Sequence, residues 1–241
     1  MAQEGTAITA VLQNQATSSP RIDELSLFSI EVKVIDLEQY ENGSDQPLPE
    51  WLAELREMRG RVCYEEGHRP FFRLADGKFC DPDPADFGAY HIIVRSDGRA
   101  VGCARILPLT DGQPSALLST LGKDRFEEIL SRMGTTRDRT CEASRWLVVP
   151  ECRKGLGPRI VAASWAIAQW LSFETAFVLA GTRQKQDCAL LRMGARAIDG
   201  LPLFPSDTFD DDLRVLYFDV LRPSDWMAKQ IVQMTSMLKL K

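Results

Sequence analysis

Between Arg153 and Phe173 the sequence reads RKGLGPRIVAASWAIAQWLSF, a glycine-containing turn opening a helix that is apolar on most of its faces. A helix without a polar side cannot lie on a surface and has to be covered by other elements. Strand signals flank it: EASRWLVV (142–149) comes before and the continuous apolar run AFVLA (176–180) comes after. A hairpin signal lies upstream, where AYHIIVR (89–95) and RAVGCARILPL (99–109) are joined through Asp97-Gly98, a pair favoured in tight turns. Downstream, QKQDCALLRMGA (184–195) reads as a helix closed near Gly194, LRVLYFDVL (213–221) as a strand, and 226–240 as an amphipathic helix. This order predicts an α/β chain with a mixed central sheet and helices on both faces.

The remaining segments are placed around that frame. Residues 1–25 are small and polar and read as a flexible leader, leaving 26–241 as one domain. LFSIEVKVIDL (27–37) alternates apolar and polar residues and predicts a first strand. Trp51, Leu52, Leu55, Met58 and Val62 recur at helical spacing, so 51–66 is expected to be an amphipathic helix interrupted or kinked near Gly60. Residues 67–88, rich in Asp and Pro, read as an irregular connection, and 110–139 as a loop with one short helix around FEEILSRM (126–133).

Composition narrows the chemistry. A net charge of −5 over 241 residues excludes a general nucleic-acid binder, so an anionic partner has to meet a local patch. The six cysteines are scattered singly and there are two histidines, which argues against zinc, a redox dithiol or a His-based triad; the thiols are expected to be reduced and no metal is expected. The first residues lack the cationic start and apolar run of a secretory signal, and no stretch approaches the roughly 20 apolar residues of a membrane span. The expectation is a cytoplasmic protein with no stable membrane insertion.

Two features carry candidate chemistry. The turn Arg153-Lys154-Gly155-Leu156-Gly157 opens a helix, where backbone N–H groups can hold an anion, and its glycines let a phosphate approach closely; equally, they make a tight turn. From 153 to 196 the basic residues Arg153, Lys154, Arg159, Arg183, Lys185, Arg192 and Arg196 face only Glu174 and Asp187. That segment either attracts an acidic carrier protein or a phosphopantetheine arm, or consists of solvated helix ends. On the preceding strand Glu142 and Ser144 share a face while Arg145 points the other way. A partly buried carboxylate there can take a proton from an amine nucleophile, or serve as a structural partner for Arg105 or Arg59.

VGCARILPL, CEASRWLVVP, the glycine turn with its helix, AGTRQKQDCALLRMGARAI and LRVLYFDV together resemble the acyl-homoserine-lactone (autoinducer) synthases and their relatives, the long-chain N-acyl amino acid synthases, both branches of the GNAT acyltransferase fold. The resemblance runs from about Arg56 to Leu221. It implies a GNAT-like acyl-CoA N-acyltransferase fold, with Glu142 as general base, Ser144 and Arg145 completing its motif, and Arg105 as the arginine of the Gly-x-x-Arg strand. Arg59 matches the arginine entering the acyl-acceptor site, where Cys63 stands in place of the usual aromatic. Asp81, Asp83 and Asp86 lie where the family carries an acidic pair.

The implied reaction is direct transfer of a long-chain acyl group from a thioester to the α-amine of an amino acid, with no bound cofactor. The expected donor and partner is acyl carrier protein ahead of acyl-CoA. The alternatives are an acyl-homoserine-lactone synthase taking S-adenosylmethionine, and a non-catalytic module that binds acyl carrier protein. Backbone N–H groups near Val148 and Val149 are expected to hold the oxyanion. Arg59 and Arg105 either bind the acceptor carboxylate or pair with Asp81, Asp83 or Glu142. Trp146, Val148, Ala163, Ile167, Phe177 and Leu179 either line an acyl tunnel or form ordinary core. A thiol nucleophile at Cys141 is disfavoured, because neither histidine lies in a partner motif.

Overall fold

A computed structural model describes residues 28–35 and 47–238 of the chain. The segment 1–25, read above as a leader, lies outside these residues. The elements are β1 (Ser29–Val34), α1 (Glu50–Glu65), β2 (Tyr90–Ser96), β3 (Arg99–Pro108), α2 (Ala116–Leu121), α3 (Lys123–Met133), β4 (Thr140–Val148), α4 (Arg153–Trp170), β5 (Thr175–Gly181), α5 (Gln186–Arg192), β6 (Arg196–Ala197), β7 (Phe204–Ser206), β8 (Asp211–Asp219) and α6 (Asp225–Met237). The strands form a mixed sheet in the order β1-β2-β3-β4-β5-β8-β6, with β7 also paired to β8.

Strand alternation sends side chains to two helical layers. Ile92, Val94, Ala104, Ile106, Ala176 and Val178 face α4 and α6, whose Ile160, Ala163, Ile167, Met227 and Ile231 complete the main core. From the opposite face, Ile93 and Cys103 meet Leu55, Met58 and Val62 of α1, and Phe177 and Val215 meet Leu117, Phe126 and Ile129 of α2 and α3. The nearly all-apolar α4 is thus buried between the sheet and α6, as its composition requires. The Asp97-Gly98 turn has both residues at positive φ (49° and 76°), the conformation whose twist matches a two-residue hairpin.

Helix α1 runs unbroken through Gly60, so the expected interruption is absent. A Cβ on Gly60 would lie 2.4 Å from the backbone nitrogen of Cys80, so the residue marks a close approach between the helix and the 80–86 segment. The six-residue α2 and the short β6 and β7 were not foreseen; none is long enough to show a period.

The arrangement at the sheet centre is what positions a site. β4 and β5 are parallel and pair only over Thr140–Glu142 and Thr175–Phe177. Beyond that point β4 stays on β3 while β5 stays on β8, and the sheet opens into a fork. A bulge sharpens the divergence: Cys103 pairs with Leu147 and Arg105 with Ser144, so Arg145 and Trp146 together oppose Ala104, and Arg145 takes a φ of +56°.

Candidate active site

The fork opens into two adjacent spaces that share part of their walls. On one side is a chamber of about 370 Å³ whose wall includes Cys63, Arg69, Asp83, Ser115, Glu142, Ser144 and Phe209. On the other is a narrow, mainly apolar slot of about 60 Å³ between the splayed strands and α4, bounded by Ile106, Val161, Trp165, Val178, Leu190 and Phe218. Ser144, Arg145, Trp146, Leu179 and Gln186 border both. Of the side chains expected around an acyl tunnel, Trp146 and Leu179 line the slot. Val148, Ala163 and Ile167 belong to the main core instead, and Phe177 packs on Phe126 across the sheet.

Glu142 is 1% exposed and touches the chamber. Its Oε2 accepts hydrogen bonds from Ser115 Oγ at 2.7 Å and from the Leu117 N–H at 3.0 Å, while Oε1 lies 3.8 Å from Arg105 Nη2, an ion pair without a hydrogen bond. The carboxylate is therefore fixed by two donors at the start of α2 and by the nearby charge of Arg105 on β3. Ser115 was missed by reading the sequence; its signal is the pattern of an N-cap serine before ALLSTL, and its Oγ indeed accepts from the Leu118 N–H at 3.1 Å.

Beside Glu142 lies a buried ion cluster centred on Asp86. Arg59 binds it with both terminal nitrogens (2.9 and 2.7 Å), and Arg56 and Arg105 add contacts of 2.8 and 3.0 Å. Burial alone would raise the Asp86 carboxyl, yet the Arg59 hydrogen bonds and the charges of Arg59 and Arg105 hold it far below the usual carboxylate range. Asp81 pairs with Arg59 (2.9 Å) and Arg145 (2.7 Å), and Asp83 with Arg105 (2.8 Å) and Arg145 (2.5 Å). Arg105 Nε also donates to Ser144 Oγ at 3.1 Å.

This cluster corrects the expectation that Arg59 and Arg105 meet the acceptor carboxylate. Both are fully buried, neither borders the chamber, and both are held in ion pairs and hydrogen bonds with Asp81, Asp83, Asp86 and Ser144. The arginines at the chamber are Arg69 and Arg145. Each places its guanidinium over the Phe209 ring, at 5.4 and 5.3 Å, and Arg69 Nε donates to the Phe209 carbonyl at 2.7 Å. Arg69 passed unrecognised because its partners, Phe209 and Asp211, lie about 140 residues away.

The oxyanion expectation also needs correction at Val149. Its N–H donates to the Val101 carbonyl at 2.9 Å, and Val148 is a buried core residue paired with Gly102. In the glycine turn, Gly157 is buried against Trp146, whose indole N–H donates to the Gly157 carbonyl at 3.0 Å, so a phosphate cannot approach it; Gly155 is exposed, with φ +79° and open space beside it. Arg153 is exposed and pairs with Glu66 at 3.1 Å; Arg159 is half-buried. The Lys154 side chain lies outside the described atoms. Cys141 is fully buried and its thiol is pushed well above the normal range by burial and Glu142, which removes it as a nucleophile at neutral pH. Among the described residues no group of His, Cys, Asp and Glu side chains is arranged to hold a metal ion, and no helix is long and apolar enough to cross a membrane.

Comparison with known proteins agrees with this geometry. The acetyltransferase (GNAT) domain family matches residues 58–163. No curated protein sequence matches the chain. Among solved structures, the chain is similar to BjaI, described as a CoA-dependent acyl-homoserine lactone synthase and solved with SAM and isopentyl-CoA (18% identity, 87% of this chain and 88% of that one, TM-score 0.55). It is likewise similar to the CoA-dependent acyl-homoserine lactone synthase MesI (16%, 87% and 96%, 0.54) and to the AHL synthase LasI (17%, 82% and 93%, 0.53). The bulge on β4 lies within the stretch 58–163 that is similar to the acetyltransferase (GNAT) domain family, and the chain shares its fold with the solved acyl-homoserine lactone synthases.

Proposed function

We propose that the protein is an N-acyltransferase that moves a long-chain fatty acyl group from a carrier thioester to the α-amine of an amino acid. The observation that carries this reading is the meeting of an apolar slot and a polar chamber at the bulge of β4, with the Glu142 carboxylate on the chamber side. The slot suits the start of an acyl chain, and the chamber suits a small charged acceptor. The thioester carbonyl then lies between them, beside Ser144, which borders both and whose Oγ already accepts from Arg105. With that lone pair engaged, the Ser144 O–H is a donor for the developing oxyanion, a role the Val149 amide cannot fill. Glu142 is the group that removes the amine proton. Arg69 and Arg145 are the chamber's cations for an acceptor carboxylate.

The preferred donor is acyl carrier protein, on the strength of the basic segment from Arg153 to Arg196. A second reading, synthesis of an acyl-homoserine lactone from S-adenosylmethionine, is favoured by the fold shared with BjaI, MesI and LasI. Expression in a bacterial host, with mass spectrometry of culture extracts against an empty-vector control, separates the two. Long-chain N-acyl amino acids support the first reading and name the acceptor. Acyl-homoserine lactones replace it with the second, and extracts matching the control argue against both.

A further inference from the structure

Glu142 faces a difficulty as a base: its carboxylate is almost fully enclosed, and the oxygen Oε2 is already occupied by Ser115 Oγ and the Leu117 N–H. The hydroxyl bound to it, however, itself borders the chamber. Ser115 Oγ gives its proton to Glu142 at 2.7 Å and takes the Leu118 N–H at 3.1 Å, and its second lone pair has no partner among the described residues. A hydroxyl has one donor and two acceptor positions. With the donor on a carboxylate and one acceptor free at a cavity wall, it can accept a proton and pass its own on in a single concerted motion.

We propose that Ser115 is the proton relay of this site, standing between the acceptor amine and Glu142; the inference rests on the N-acyltransferase reading above. The amine lone pair forms the C–N bond to the thioester carbonyl carbon. The amine N–H proton goes to Ser115 Oγ as the Ser115 O–H proton goes to Glu142 Oε2. Collapse of the tetrahedral adduct breaks the C–S bond, its electron pair leaves on sulfur, and the thiolate is protonated by Glu142 or by solvent. The alternative role for Ser115 is only to cap α2 and brace Glu142, and the two roles differ in the number of protons in flight.

The test uses the full chain with decanoyl-CoA and decanoyl-acyl carrier protein as donors, and the protein amino acids or S-adenosylmethionine as acceptors, following thiol release in mixtures of H₂O and D₂O. The wild type should give a bowed proton inventory on kcat, the signature of two protons moving together. Ser115→Ala should lower kcat roughly 10- to 100-fold with little change in KM, straighten the inventory, and lower Tm by a few degrees through loss of the cap. Ser115→Thr, which keeps the hydroxyl, should recover most of the turnover. A linear inventory in the wild type overturns the relay without reference to any variant. So does a folded Ser115→Ala that keeps wild-type kcat, or that slows with its bowed inventory intact, provided Glu142→Gln is slow; Glu142 then stands as base without Ser115. Glu142→Gln at the wild-type rate, or a wild type that releases no thiol with either acceptor class, removes the parent reading and the relay with it.

Discussion

His91 is a neutral side chain enclosed by charges. It is fully buried, Trp51 lies edge-on to it at 5.3 Å, and its Nε2 donates to the Asp86 carbonyl at 2.8 Å, which fixes the proton on that nitrogen. Burial lowers its pKa to about 4, outweighing the attraction of Asp86, while Arg59 and Arg105 add to the lowering. The unfolded chain takes up this proton near the ordinary histidine value of about 6.5, so below that pH the unfolded state binds more protons than the fold. Stability should therefore be complete above about pH 6.5 and decline as pH falls toward 4, by on the order of 3 kcal/mol at the lower end. Urea denaturation between pH 7 and 4 measures this slope, and His91→Gln should flatten it. An equally steep slope in the variant would transfer the effect to other groups. The lowered carboxyls of Asp83 and Asp86 act in a separate window, below about pH 4. At this scale the sequence suggested most of the right residues but could not sort their partners. Arg59 and Arg105 read equally well as substrate ligands or as structural cations, and only the fold shows Asp86 between them.

Elements with a strong local signal were legible and those made by long-range geometry were not. The β2–β3 hairpin follows from its Asp-Gly turn, and α4 from an apolar run too long for a strand. The bulge that opens the fork carries no such mark: its positive φ falls on Arg145, a residue that no turn rule selects, and it exists because β4 holds β3 while β5 holds β8. Gly60 shows the same limit from another side. A glycine inside a helical pattern suggests a break or kink, whereas here α1 runs on through it and the missing side chain admits the Cys80 backbone. Gly60→Ala thus sets two effects against each other: better helix propensity, worth about 1 kcal/mol, and a methyl 2.4 to 2.8 Å from the backbone of Cys80. Contacts with backbone cannot be relieved by turning a side chain, and the segment that would have to move carries Asp81 and Asp86, the partners of Arg59. The clash should win, with a net loss of at least about 1 kcal/mol in urea denaturation; a gain in stability would show that the loop yields freely.

For the whole molecule the relevant quantity is where charge lies on an acidic chain. Arg153 at the start of α4 binds Glu66, and Gln184, next to Arg183, donates to the Glu66 carbonyl at 2.8 Å, so these two basic stretches converge on the C-terminal end of α1. Arg153 and Arg183 are exposed, and their ion pairs, with Glu66 and Asp210, are surface pairs of the kind that contribute about 0–1 kcal/mol. Such weak pairs exchange easily for a partner's carboxylates or phosphates, which is what the carrier docking proposed above would require of this corner on a chain of net charge −5. Reversing both charges (Arg153→Glu with Arg183→Glu) should raise KM for an acyl-carrier-protein thioester about tenfold or more at low salt while leaving kcat unchanged, because neither residue borders the slot or the chamber. Added salt should raise KM of the wild type, and should change that of the variant far less, since the attraction it screens is gone. An unchanged KM at low salt would place carrier docking on another face; a loss confined to kcat would mean that this corner shapes the fork rather than the encounter.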